Sequence, residues 1–136
     1  MKKLLVLVVA ILVSIPLVLM AGKKESGGGS SGEMEKDQYE IVLVVKLEGI
    51  AWFDDMRRGM QAFDADHPDV NAYQVGADTA DAAAQVAIIE DLVAKGVDAI
   101  LCTPNSPESL VPVFKRAREA GITVVTHEAP TQKEAD

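Results

Sequence analysis

Five consecutive apolar residues, Ile41–Val45, stand between Glu40 and Lys46. A strand with one solvated face alternates apolar and polar side chains. An unbroken run rich in β-branched residues instead reads as a strand buried on both faces. Such a strand belongs in a parallel sheet with helices packed on either side. Parallel neighbours in turn require crossover connections, so helices should follow.

The rest of the chain keeps that rhythm. "YEIVLVV" is the first expected strand. Phe53, Met56, Met60 and Phe63 then form one apolar stripe at helical spacing, and the helix stops before Pro68. "VNAYQVG" is a second strand. Val70, Ala72 and Val75 are its apolar positions, which suits partial burial at a sheet edge. "DTADAAAQVAIIEDLVAKG" is a second helix with Asp78 or Thr79 as its cap and Gly96 as its end. Its expected stripe is Ala82, Val86, Ile89 and Val93. "VDAILCT" is a third strand. "SPESLVPVFKRAREAG" is a third helix, with Leu110, Phe114, Ala117 and Gly121 on one face. Pro112 is awkward in a helix begun at Pro107, because an interior proline loses a hydrogen bond. Ser109 is therefore the expected N-cap. "ITVVTHE" is a fourth strand.

The order β-α-β-α-β-α-β predicts an α/β fold with a doubly wound parallel sheet of flavodoxin-like topology. With 136 residues, 49% of them hydrophobic, the chain can bury one core. Only four strands are expected, and "APTQKEAD" adds no further element. The pattern reads as the first lobe of a larger architecture, truncated before a second.

The N-terminus has a different character. Lys2 and Lys3 precede the apolar run Leu4–Val13, followed by "SIPLVLMAG". Residues 1–22 are the expected signal peptide. An uncleaved anchor is the competing reading, because Leu4–Ala21 approaches the length that spans a bilayer. Lys23 and Lys24 stand where a lipoprotein signal would need a cysteine. The Gly/Ser-rich stretch from Lys23 to Gln38 reads as a flexible linker, leaving 39–136 as the folded domain. The single cysteine, Cys102, excludes an internal disulfide, so an exported chain relies on its apolar core. Cys102 falls inside a strand and reads as an inert core thiol. The net charge of −8 leaves no basic footprint for nucleic acid.

In open α/β sheets, ligands bind beyond the carboxyl ends of the strands. Here those ends carry Lys46, Trp52, Phe53, Asp78, Asn105, Ser106, His127 and Glu128. Carboxylate, amide and ammonium groups pair with hydroxyls, and aromatic faces pack on C–H surfaces, so the set suits a polyhydroxylated ligand. Each residue has a plainer alternative. Lys46 and Glu128 can be solvated strand exits. Trp52 and Phe53 can be core, the more so for Phe53, which lies on the helix stripe. Asp78 and Ser106 can be helix caps. Several enzyme classes lack their motifs: no GxGxxG follows the first strand, no GxxxxGK[ST] occurs, and no GxSxG elbow is present. His67 and His127 lie far apart without metal-ligand spacing, and His67 before Pro68 reads as a solvated helix end.

Two longer stretches, "VVKLEGIAWF" and "GVDAILCTPNSPESL" continuing to "AREAGITVVTHEAP", resemble the type I periplasmic solute-binding proteins of sugar ABC transporters. Within them the resemblance is to the autoinducer-2-binding and rhamnose-binding branch, over residues 39–136. It implies two α/β lobes that close on a sugar, of which this chain carries the N-terminal one. It implies that Lys46 contacts the ligand, that Trp52 and Phe53 line the cleft, and that Asn105 and Ser106 belong to a further cleft segment. Glu128 stands where ribose-type members place an aspartate. The pair His127-Glu128 departs from the Trp-Asp pair of autoinducer-2 binders and leaves a six-carbon sugar open.

The function so implied is capture of a sugar or sugar-like signal (autoinducer-2-like, rhamnose or similar) in the periplasm. The partner is an ABC permease; no catalysis, cofactor or metal is implied, and the membrane enters only through the signal segment or the permease. The alternatives are the ligand-sensing lobe of a sugar-responsive regulator or chemoreceptor partner, or a non-functional fragment. A regulator would need an N-terminal helix-turn-helix, where this sequence has the signal segment and linker.

Overall fold

The computed structural model describes residues 37–133. The expected signal peptide and all but the last two residues of the expected linker lie outside the described residues. The elements run β1 Tyr39–Val45, α1 Ala51–Asp66, β2 Val70–Gly76, α2 Ala82–Lys95, β3 Ala99–Cys102, α3 Pro107–Glu119 and β4 Thr123–Thr126. All strand pairings are parallel, in the order β2-β1-β3-β4. β1 is central, and Val42, Val44 and Val45 are at most 1% exposed, as the unbroken apolar run requires. β2 is an edge strand. β3 and β4 pair over four residues each, shorter than the seven-residue runs read from the sequence, because the ladder ends at Cys102 and Thr126.

The pleat divides the core. On one face Val42, Val44, Ile100 and Cys102 pack against α2 and α3 through Ile89, Leu92, Leu110, Val113, Phe114 and Ala117. On the other, Leu43, Val45, Val70 and Ala72 meet Phe53 and Met60 of α1. The strand order reverses between β1 and β3, since β1 leads outward to β2 through α1 whereas β3 leads to β4 through α3. α1 leaves part of its face of the sheet open. Leu101 and Val125 there line two adjoining hollows of about 310 and 330 Å³, with Met56, Met60 and Phe63 of α1 on the other side.

The helix ends depart from expectation in two places. Asp81, and neither Asp78 nor Thr79, caps α2. Its extended backbone lets one carboxylate oxygen accept from the N–H groups of Ala83 at 2.7 Å and Ala84 at 3.4 Å. Residues 77–81 are spent crossing the rim before the helix can begin. Gly96 ends it, as expected, in the left-handed conformation at φ 74°. α3 starts at Pro107 with Ser106 as its cap, not at a capping Ser109. Pro107 presets the first helical φ and lacks only an N–H that a first turn leaves unused. Pro112 is then tolerated inside the helix on an exposed position.

The expected stripes also shift. Phe63 is 40% exposed and stacks on the His67 ring at 4.0 Å instead of joining the core. On α2 the buried set is Gln85, Ile89 and Leu92, with Val86 and Val93 only partly covered. At the far end of the sheet, Glu40 accepts from Tyr73 Oη at 2.7 Å and pairs with Lys95, whose ammonium lies 5.4 Å from the Tyr73 ring centre. Burial and the Glu40 hydrogen bond push the Tyr73 hydroxyl above its ordinary pKa, and the same carboxylate raises Lys95.

Replacing Asp81 with alanine is expected to cost about 1 kcal/mol, the usual value of an N-cap side chain. Thermal melts should show that loss, while Asp78→Ala leaves the midpoint unchanged.

Candidate functional site

Parallel register carries every strand's carboxyl end to one rim. Val45 is level with Gly76, Val44 with Cys102, and Cys102 with Thr126. The rim segments are then tied by backbone bonds: Glu48 N–H to Ala77 O at 2.9 Å, Thr103 N–H to Val44 O at 3.0 Å, and His127 N–H to Cys102 O at 2.8 Å.

Lys46 and Glu128 meet across the end of β3. The Lys46 ammonium lies 3.6 Å from Glu128 Oε2, with side chains 31% and 41% exposed. The pair is water-accessible, an ammonium set against a carboxylate. Glu128 sits at φ 54°, the one residue other than glycine with positive φ among those described. A residue with a Cβ is disfavoured in this left-handed region, and such strain clusters where ligands are held.

Asn105 is anchored rather than free. Its backbone N–H donates to Gln85 Oε1 at 2.8 Å, and its Nδ2 donates to the Lys46 carbonyl at 2.8 Å. The side-chain Oδ1 remains as an acceptor. Trp52, 56% exposed, opens α1 beside the β1 exit. Phe53 is 3% exposed in the core beneath α1, so of its two readings the core one describes its place. Ser106 accepts from Ser109 N–H at 3.3 Å and lies 2.8 Å from Ser109 Oγ, which commits its hydroxyl to the start of α3. His127 is exposed and faces the hollow beside Met56 and Val125. Asp78 is exposed and caps nothing.

The β1–α1 turn is held by residues that hydrophobic periodicity could not single out. Glu48 pairs with Arg57, and its Oε2 also accepts from Gln74 Nε2 at 3.2 Å. Arg57 Nη1 donates to the Gln74 carbonyl at 3.5 Å. Gly76 permits the approach, since a Cβ there would stand 2.7 Å from Val45 Cγ2. Gly49 turns the chain at φ 80°. Gln85, buried in α2, is the other such residue; its position among alanines and aliphatics marks it only as a polar break in an apolar helix.

Burial pushes the Cys102 thiol up to about 12, far from a reactive thiolate. No group of three His, Cys, Asp or Glu side chains among the described residues could hold a metal ion. No described helix is long and apolar enough to cross a membrane. Around the end of β3 the rim offers the Lys46–Glu128 ion pair, the Asn105 amide and the exposed Trp52 indole.

The family described as periplasmic binding protein domain matches residues 41–136. A D-ribose/D-allose-binding protein of Pseudomonas aeruginosa is 34% identical over 94 residues, 65% of this chain and 28% of the relative. A periplasmic solute-binding protein of an ABC transporter from Actinobacillus succinogenes, solved with bound D-allose, superposes with a TM-score of 0.65 at 27% identity, over 72% of this chain and 34% of that one. LsrB from Clostridium saccharobutylicum, in complex with AI-2, gives 0.60 at 29% identity, over 64% and 26%. The chain thus spans about a third or less of the length of each of these proteins.

Proposed function

The chain belongs to the periplasmic binding protein domain family, and from that premise we propose that residues 39–136 form the N-terminal ligand-contacting lobe of a sugar-binding protein serving an ABC importer. In this reading residues 1–22 export the chain to the periplasm and residues 23–38 tether the lobe. The lobe binds without chemistry, and a permease receives the ligand.

The observation that carries the proposal is the Lys46–Glu128 pair beside Asn105 and Trp52 at the carboxyl rim of β1, β3 and β4. A carboxylate accepts from sugar hydroxyls, an ammonium donates to them, and an amide does both. An exposed indole offers a face to the C–H side of a pyranose or furanose. The strained backbone at Glu128 fits a residue held for contact rather than for packing. Ser106 and Phe53 act behind the site, one capping α3 and the other packing α1. The relatives carry ribose, allose and autoinducer-2 in their names or structures. Their ligands support the reading proposed for this chain, whose ligand would be of the same class, a neutral aldose or a compact sugar-like diol.

The test is a titration of the isotopically labelled chain with D-ribose, D-allose, L-rhamnose and autoinducer-2, read by amide and side-chain NMR shifts. At least one ligand should move the signals of Lys46, Asn105, Glu128 and the Trp52 indole saturably. If no rim signal moves with any of the four at millimolar concentration, the sugar-binding reading fails.

A further inference from the structure

The ladder between β1 and β3 ends at Val44 and Cys102. Beyond it the two strands must part, because their continuations leave in different directions at the reversal of strand order. Their next carbonyls, Val45 and Thr103, lie past the end of this β1–β3 ladder, where a buried carbonyl without a donor is costly. Pro104 follows and has no N–H to give.

Gln85 closes this gap. Its side chain is 1% exposed, and its Nε2 donates to Val45 O at 3.2 Å and Thr103 O at 3.0 Å. Its Oε1 accepts from Asn105 N–H at 2.8 Å, and Asn105 in turn holds the Lys46 carbonyl at 2.8 Å. One carboxamide thus uses both donors and its acceptor to join three segments: the β1 exit, the β3 exit and the turn before α3. The start of α2 sets its height, since the Gln85 N–H bonds Asp81 O at 3.0 Å in the first turn.

We infer that Gln85 is the positioning residue of the ligand rim, a polar bracket that fixes the spacing of Lys46 and Asn105 at the crevice where the strand order reverses. The inference rests on the sugar-binding reading for its functional consequence, though not for its geometry. Gln85 touches no ligand; it acts through the backbone of Asn105 and of Val45, the residue before Lys46. The isosteric apolar variant Gln85→Met keeps the volume and removes all three bonds. Gln85→Asn keeps the amide and shortens its reach by one methylene.

The experiment is amide hydrogen exchange on the wild-type chain and both variants, followed by titration with the sugar that moves the wild-type rim. In each variant, Asn105 N–H should lose protection by about tenfold, while Ile100 and Val113 in the core stay protected. Affinity for that sugar should fall by about tenfold with the fold intact. Unchanged Asn105 protection would overturn the bracket, and lost protection with unchanged affinity would overturn its positioning role. Should both variants fail to fold, the wild type decides: slow exchange of the Gln85 carboxamide protons, with couplings to the Val45 and Thr103 carbonyls, supports the bracket, and fast exchange overturns it. If the wild type answers to no sugar, the functional proposal falls by itself, and exchange at Asn105 still decides the bracket.

Discussion

Phe114→Ala is expected to remove about 3–5 kcal/mol of stability, the range for deleting a fully buried aromatic ring. Phe114 is 1% exposed and sits among Ile100, Leu110, Val113 and Ile122, where α3 closes over the sheet. The loss combines forfeited burial with a cavity that rigid strands cannot collapse into. Domains of this size hold only about 5–15 kcal/mol in total, so the variant should sit at the margin of folding. Phe63→Ala makes the useful contrast. The same atoms are removed, but Phe63 is 40% exposed and rests on the His67 ring at the helix end. Its cost should stay below about 1 kcal/mol, in the range of a single aromatic pair. Urea unfolding of the two variants side by side checks this. Equal losses would mean that the division of the core between the two sheet faces is misplaced.

Lys46→Ala and Glu128→Ala are each expected to weaken sugar binding by about 1–3 kcal/mol, roughly five- to 150-fold, the cost of losing a charged hydrogen bond to a bound group. Their effect on stability should be small. The pair spans 3.6 Å with both side chains about a third exposed, and ion pairs so placed contribute about 0–1 kcal/mol. The prediction is therefore a dissociation of two readouts: affinity falls and the melting temperature holds. Affinities can be followed by NMR titration and stability by thermal melts of the same samples. Unchanged affinity in both variants would remove the pair from the ligand site. A large loss of stability would recast it as a structural clamp between β1 and β4.

Those two expectations draw on unequal amounts of information in the sequence. The strands β1 and β2 were legible residue for residue, because a run such as Ile41–Val45 has few ways to hide its side chains. The doubly wound class followed from alternation with helices, and the convergence of Lys46, Asn105 and Glu128 followed from parallel register. Capping was less legible. In "ADTADAAAQ" three side chains, Asp78, Thr79 and Asp81, can each accept from a following N–H. Which one does depends on how many residues the chain spends crossing the rim. Ser109 was the wrong cap for a different reason: the rule against interior proline outweighed, in the sequence, a Ser106-Pro107 start in which Ser106 Oγ accepts from Ser109 N–H and Pro107 presets the first helical φ.

The apolar runs and their spacing by themselves determined a parallel α/β sheet and the rim to which its polar ends would come, because hydrophobic periodicity is local and each run carries its own burial demand. Only the tertiary structure decided which polar residues work together. Gln85 and Asn105 are twenty residues apart, and Lys46 and Glu128 more than eighty. Nothing in the sequence pairs them, since hydrogen bonds and ion pairs are short-ranged and depend on where separate strands end in space.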